Sequence, residues 1–192
     1  MIKKIMLSIA TIFLIWQSID LISYIDYLNI NSWGLIFLSA FFINLFITGI
    51  FAFSGFAFPT QKLLPNSYYQ IHHPKTLKKI YEALRVNIFR RILLATIWKS
   101  QKQRKKYFSG KENGIPNLKE QSRKSEFGHL IPFIIISFVA FYLFVIGLPK
   151  IGLISLLINL IGNFYPIILQ RHHRMRIQSI EKRQQPTSVK LK

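Results

Sequence analysis

Long apolar runs dominate this sequence and limit what it can fold into. The run Trp33 to Phe58 contains no charged residue, and further apolar runs cover about residues 5–25, 130–148 and 151–169. A helix needs about 20 apolar residues to cross the hydrocarbon core of a bilayer. Because lipid offers no hydrogen bonds to the backbone, each run is expected to be helical. The sequence therefore predicts an all-α integral membrane protein with four transmembrane helices, and we expect residues 1–192 to form a single membrane domain.

Short connections arrange the four predicted helices as two hairpins. The polar residues 29–32 join the first two runs, and residues 147–150 join the last two. Links this short connect antiparallel neighbours. The second run also carries Gly49, Ala52 and Gly55 at helical spacing, where small residues let a neighbouring helix approach closely.

The basic residues are segregated from the apolar runs. The chain has 26 Lys and Arg against 7 Asp and Glu, and most of the cations lie in residues 60–129 and in the tail 170–192. The positive-inside rule places such segments in the cytoplasm. We therefore expect a multi-pass protein of the cell membrane with both termini and the segment 60–129 cytoplasmic. The apolar N-terminal run lacks the small-residue cleavage pattern of a secretory signal peptide.

Composition also argues against several classes of function. The formal net charge of +19 would suit nucleic acid, but no recognisable binding module is present, so no nucleic-acid partner is expected. The chain has no cysteine, which excludes disulfides, thiolate metal sites and a cysteine nucleophile.

An amphipathic pattern marks the middle of the basic segment. Between Leu77 and Ala95, apolar residues recur at 3.6-residue spacing with lysines and arginines on the other side. This pattern predicts one interfacial helix lying in the headgroup plane. The cluster Lys99 to Lys106 suits anionic lipid heads, so membrane lipids are expected partners, with a merely solvated charge run as the alternative.

The best candidate site lies where the basic segment meets the third apolar run. Glu126 and His129 are three residues apart, so they share one face if the helix begins before them. An acid beside an imidazole at the lipid boundary suits proton transfer. The alternative is that Glu126 neutralises nearby cations while His129 is an interfacial polar residue. In the fourth run, Asn159 and Asn163 also share a face, which favours helix packing.

Three stretches together resemble one family of bacterial enzymes. They are Leu64-Pro65 with Tyr68-Tyr69, the stretch Arg123 to His129, and Asn163 through Gln170-Arg171, Arg174 and Arg176. In order and spacing they are similar to the glycosyl-4,4'-diaponeurosporenoate acyltransferases, small integral membrane enzymes of carotenoid-glycoside biosynthesis. The resemblance implies transfer of a fatty acyl group to a hydroxyl of a lipid-like glycoside, such as a glycosylated carotenoid. The chain departs from the family at His172-His173, around Tyr165-Pro166 and in a longer N-terminal hairpin.

Acyl transfer from a thioester to an alcohol needs a general base and a donor for the developing oxyanion. Histidine is the natural base near neutral pH, so we expect His129 to be the base and Glu126 its partner. The side chains expected to hold the substrate or the donor are Asn163, Gln170, Arg171, Arg174 and Arg176. Guanidinium groups pair well with phosphate, which fits acyl-CoA or a similar acyl donor as co-substrate. No bound cofactor and no metal are expected.

Two other functions stay open on sequence alone. One is a membrane metal oxidase, since imidazole and carboxylate suit iron. Its ligands would come from His72, His73, Glu126, His129, His172 and His173. Against it, the chain has a single Glu-x-x-His where carboxylate-bridged di-iron bundles use two. The other is a non-catalytic membrane protein whose basic segment binds anionic lipid or a partner protein. The sequence gives no oligomeric state.

Overall fold

The chain is helical through most of the part that the structure describes. The computed structural model describes residues 1–27, 30, 32–96, 98–100 and 114–184. The helices are α1 (Ile2–Tyr24), α2 (Trp33–Ala57), α3 (Pro74–Ala83), α4 (Val86–Ala95), α5 (Ile115–Val145), α6 (Pro149–Asn159) and α7 (Tyr165–Gln184). A 3₁₀ turn covers Thr60–Leu63, and a π-turn, Leu160–Phe164, joins α6 to α7. No strand occurs in these residues, so the predicted all-α fold is confirmed.

Among the described residues, four helices are long and apolar enough to cross a membrane: Ile2–Tyr24, Trp33–Ala57, Ile115–Val145 and the continuous helix Pro149–Arg183. This confirms the four predicted transmembrane helices. The third and fourth extend well beyond their apolar runs, and the predicted tail is therefore helical as far as Arg183. An apolar run identifies only the part of a helix that lipid can surround. The helix itself continues as long as its backbone N–H and C=O groups are hydrogen-bonded within it.

Local signals explain several helix ends. Ser32 caps α2, because its hydroxyl accepts a hydrogen bond from the backbone N–H of Leu35 at 3.2 Å. Pro74 and Pro149 open α3 and α6, at a position where a missing N–H costs nothing. Pro59 follows α2 directly after its cap residue and cannot continue the helix.

The described residues group into two compact units. The first unit consists of Met1–Leu63 and Lys124–Ile167, and the second of the described residues within 64–123 and 168–184. Helices α5 and α7 each contribute residues to both units. That the whole chain forms one domain stays a prediction.

The first unit is an apolar helix bundle. Its buried core is built from Ile25, Ile36, Ala40, Ile43, Ile47, Ile136, Leu143 and Ile151. Helices α1 and α2 approach closely at Gly49, where an added Cβ would lie 2.6 Å from Cδ1 of Leu14. The predicted close approach at this glycine is confirmed.

The turn between α5 and α6 brings these helices together as neighbours in the first unit. Gly147 has a φ of 83°, a left-handed conformation that glycine adopts without steric cost. Beyond the turn, a Cβ added to Gly152 would lie 2.9 Å from the carbonyl oxygen of Ala140 and 3.3 Å from the ring of Phe144. The predicted hairpin around residues 147–150 is therefore present, and Gly152 lies where its two helices approach closely.

The predicted single helix from Leu77 to Ala95 is wrong. The chain forms α3 and α4 there, separated by Leu84 and Arg85, and Arg85 adopts a left-handed conformation with φ of 49°. The apolar spacing continues across this break, so periodicity alone could not reveal it. Leu77 and Tyr81 are buried in the second unit. Most of the predicted lipid-binding cluster, from Lys102 to Lys106, lies outside the described residues.

Candidate functional site

Two polar residues of the first unit that the sequence singles out are in contact. Nδ1 of His129, on α5, lies 3.0 Å from Oδ1 of Asn163, in the π-turn. Asn163 is buried and His129 is half-buried. Glu126 also lies on α5 and its exposed fraction is 0%. The helix therefore begins before Glu126 and His129, as their predicted shared face requires.

Neighbouring amides determine which atom of Asn163 faces the histidine. Asn159 donates from Nδ2 to the carbonyl oxygen of Phe133 at 2.9 Å, and its Oδ1 accepts from Nδ2 of Asn163, also at 2.9 Å. Nδ2 of Asn163 donates as well to the hydroxyl of Thr48 at 3.1 Å. Since Oδ1 of Asn163 thus faces the ring, Nδ1 of His129 carries the proton of that bond. The lone pair of the neutral ring then lies on Nε2, which makes this nitrogen the one suited to act as a base.

The π-turn supplies a further contact to the same ring. The backbone of Gly162 lies close to the ring of His129. Pro166, four residues later, has no N–H with which to bond the Gly162 carbonyl in the α-helical pattern. Freed backbone groups in membrane helices are satisfied by neighbouring side chains, and π-turns are frequent at functional sites. The position of the His129 ring therefore depends on the irregular backbone of the π-turn.

The partner of Nδ1 in the structure differs in type from the one that the sequence suggests. It is the neutral amide of Asn163, whereas the sequence favours the carboxylate of Glu126 as the orienting group. Asn163 was expected instead to contact substrate. The roles of Glu126 and of Asn163 toward substrate stay predictions.

In the second unit, two arginines enclose the side chain of Tyr69. The guanidinium carbons of Arg123 and Arg174 lie 5.1 Å and 5.2 Å from the centre of its ring, and Tyr69 is buried. Arg174 is buried too, and it donates to the carbonyl of Tyr69 at 3.1 Å and to the hydroxyl of Ser122 at 3.4 Å. Arg123 donates to the side-chain oxygen of Asn66 at 2.9 Å. Desolvation strengthens such cation–π contacts, so we expect this Tyr69 cluster, which consists of Asn66, Tyr69, Ser122, Arg123 and Arg174, to stabilise the second unit.

The other side chains predicted to bind substrate also lie in the second unit. Gln170 is buried, and its backbone carbonyl accepts a hydrogen bond from Ser122 at 3.0 Å. The guanidinium of Arg171 lies 5.4 Å from the ring centre of Tyr68. Arg176 is exposed. Their contacts with substrate stay predictions.

Sequence reasoning missed a basic cavity in the second unit. The cavity has a volume of about 420 Å³ and includes four cationic side chains in its lining, Lys75, Lys78, Arg176 and Lys182. Only Arg176 was singled out, because Lys78 was assigned to the solvated side of an amphipathic helix, and Lys75 and Lys182 only to the basic segment and the basic tail. The available signal was the spacing of Lys75 and Lys78, which puts them on one face of α3.

A comparison with known families gives this arrangement a biochemical context. A family model described as glycosyl-4,4'-diaponeurosporenoate acyltransferase matches residues 65–183, more than half of the 192-residue chain. The chain belongs to this family. No curated protein and no solved structure matches it.

Membership of the glycosyl-4,4'-diaponeurosporenoate acyltransferase family confirms the resemblance seen in the sequence. The matched residues include His129, Asn163 and the whole Tyr69 cluster, while α1 and α2 lie outside the match. Thr48, on α2, therefore adds a contact to the histidine site from outside the family region.

One of the histidines considered for a metal oxidase, His172, contacts an aromatic ring in this family member. The ring of His172 stacks on Tyr81 with the ring centres 3.9 Å apart. Throughout the described part of the chain, no group of three His, Cys, Asp or Glu side chains could hold a metal ion.

Proposed function

We propose that this chain transfers a fatty acyl group from a thioester, such as acyl-CoA, to a hydroxyl of a lipid-like glycoside, such as a glycosylated carotenoid. Family membership supports acyl transfer in carotenoid biosynthesis, and the four apolar helices support a membrane location. The observation that carries the proposal is the bond between Nδ1 of His129 and Oδ1 of Asn163 at 3.0 Å. This bond leaves Nε2 as the basic nitrogen of the neutral ring.

In the proposed reaction, Nε2 of His129 accepts the proton of the acceptor hydroxyl while the hydroxyl oxygen attacks the acyl carbonyl carbon. The tetrahedral intermediate then collapses, the carbon–sulfur bond breaks, and the thiolate takes the proton from the imidazolium. The products are an ester and a free thiol. Asn163 acts as a positioning residue, because its oxygen holds Nδ1–H and stabilises the imidazolium that forms.

The proposal includes an orientation in the cell membrane with both termini on the cytoplasmic side. The excess of Lys and Arg in residues 60–129 supports it. The chain has no cysteine, so Tyr27→Cys and Lys79→Cys each introduce one site for a membrane-impermeant thiol reagent. From outside intact cells the reagent should label the Tyr27 variant and spare the Lys79 variant. Labelling of both from the same side would refute the orientation.

Lipid profiling of cells supplied with a glycosylated carotenoid tests the activity. Loss of a general base lowers rates by about 10² to 10⁴ fold, so His129→Ala should abolish most of the acylated product. His73→Ala is the matched control, since His73 is an exposed histidine of the second unit. Unchanged product in His129→Ala would rule out the assigned base. Absence of acylated product from the wild type would contradict the enzymatic proposal and favour the non-catalytic alternative.

A further inference from the structure

The basic cavity of the second unit has the properties of an anion-binding site. Lys75 and Lys78 come from α3, and Arg176 and Lys182 come from α7. None of the residues lining it is acidic. Four cations around one concave surface attract anionic ligands and concentrate them locally.

The charges of these side chains are available to a ligand. All four residues are exposed. Lys78 has a partner in Glu82 at 3.8 Å, but both side chains are more than half exposed, and such pairs contribute little. The first turn of α3 adds no acidic residue and no side-chain cap at the edge of the cavity. A phosphate group could therefore replace water at these cations without displacing a strong ion pair.

The remaining lining gives the cavity a mixed character. Ile71, Pro74 and Met175 provide apolar surface, and Gln178 and Ser179 provide neutral hydrogen-bonding groups. Its volume of about 420 Å³ falls within the range of small-molecule sites, about 300–1,000 Å³. A ligand that combines several phosphates with a less polar part matches both parts of the lining better than a phosphate alone.

We propose that this cavity binds the phosphorylated nucleotide end of the acyl donor, a coenzyme A thioester. The inference rests on the proposed acyl transfer for the identity of the ligand, and on the cavity for its chemistry. Lysine ammonium groups would contact the phosphates, and the apolar residues would contact the base. Three of the four cations, Lys75, Lys78 and Lys182, thereby acquire a role in donor binding.

Calorimetric titration with coenzyme A tests this assignment. The full chain is placed in nanodiscs of zwitterionic lipid, so that anionic lipid does not compete. Lys75→Gln/Lys78→Gln should weaken coenzyme A binding by about tenfold, because two charge-assisted contacts to phosphate are lost. Pantetheine, which lacks the phosphates, should not bind.

The matched control is Lys79→Gln/Arg91→Gln. It removes the same charge from exposed positions on α3 and α4 that do not line the cavity. Coenzyme A affinity in this control should stay within about twofold of wild type, since exposed charges that make no direct contact with the ligand are screened by salt. Equal losses in the two double variants would mean a general charge effect and would overturn the site.

A second experiment distinguishes a nucleotide ligand from a lipid headgroup. Vesicles with anionic phospholipid are offered to the same variants, with binding measured by co-sedimentation. If the cavity lysines control vesicle binding while coenzyme A does not bind, the cavity is a lipid-headgroup site and the proposal is wrong. Because titration needs no turnover, it can be repeated in His129→Ala. Binding should persist there, so a failure of the proposed chemistry and a failure of this site give different results.

Discussion

The two units use different chemistry to bury polar side chains. In the first unit many of the buried bonds join neutral groups, with Asn44, Asn159 and Asn163 bonded to backbone carbonyls, to hydroxyls and to one another, although the carboxyl group of Glu126 is buried there as well. In the second unit they join cations to aromatic rings, carbonyls and a carboxylate, as at Arg174 and Lys119. Charges are costly inside a bilayer, whereas bonded amides are tolerated there. His129, the proposed base, must start neutral, and its described hydrogen bond is to an amide.

The largest expected effect comes from removing the buried arginine of the second unit. Arg174→Met leaves the carbonyl of Tyr69 and the hydroxyl of Ser122 without their guanidinium donor. With about 1–3 kcal/mol for each unsatisfied buried group, the free energy of unfolding should fall by about 3 kcal/mol. Unfolding in mixed detergent micelles measures it, with exposed Arg176→Met as the control. Equal stability of the two variants would mean that the Tyr69 cluster is not what holds this unit.

The next effect concerns close packing in the first unit. Gly152→Val places a side chain where a Cβ already meets the carbonyl of Ala140 at 2.9 Å. Backbone cannot easily move away, so overpacking should cost about 2 kcal/mol in the same unfolding assay. Gly162→Ala is the control, because nothing lies within 4 Å of the position that its Cβ would occupy. A tolerated valine at position 152 would show that the hairpin is looser than the structure indicates.

Substitutions of two asparagines in the first unit distinguish an effect on stability from an effect on activity. Asn163→Leu and Asn44→Leu each remove intramembrane hydrogen bonds and should each lower the free energy of unfolding by about 1 kcal/mol. Only Asn163 touches His129, so only its variant should lose acyl transfer, through a lower kcat at nearly unchanged KM. The ester product is quantified by mass spectrometry in a timed assay. Equal activity losses would reduce Asn163 to a packing role.

The smallest effect is expected for the ion pair of the second unit. Lys119 and Glu181 lie 2.8 Å apart, and both are about one-third exposed. Lys119→Gln should change the free energy of unfolding by about 0–1 kcal/mol, and high salt should remove the difference from wild type. A loss that persists in high salt would indicate that the contact is more desolvated than its exposure suggests.

Sequence predicts the membrane class well because a bilayer imposes strong constraints on composition. The apolar runs predicted the number of transmembrane helices. Gly49 predicted the close approach of α1 and α2, and residues 147–150 predicted the hairpin of α5 and α6. Helix ends were predicted poorly, since α5 begins at Ile115 although its apolar run begins near residue 130. The break at Arg85 was missed because apolar periodicity continues through one left-handed residue.

The sequence singled out His129 and Asn163 separately, but it did not predict the bond between them. Position along the chain identified His129 and Asn163, while their direct contact depends on the π-turn, which has no clear signature in sequence. The basic cavity was missed for a related reason. Its cations come from α3 and α7, about 100 residues apart, and only the folded chain brings them around one surface.

Substitution of Arg85 is a way to make the protein more stable. A non-glycine residue in the left-handed conformation carries a steric cost of roughly 1–2 kcal/mol, and Arg85 is exposed at the junction of α3 and α4. Arg85→Gly would relieve that cost at a position that does not line the basic cavity. The Arg85→Gly substitution would thus provide a more stable background in which variants with weakened ligand binding can be purified and compared.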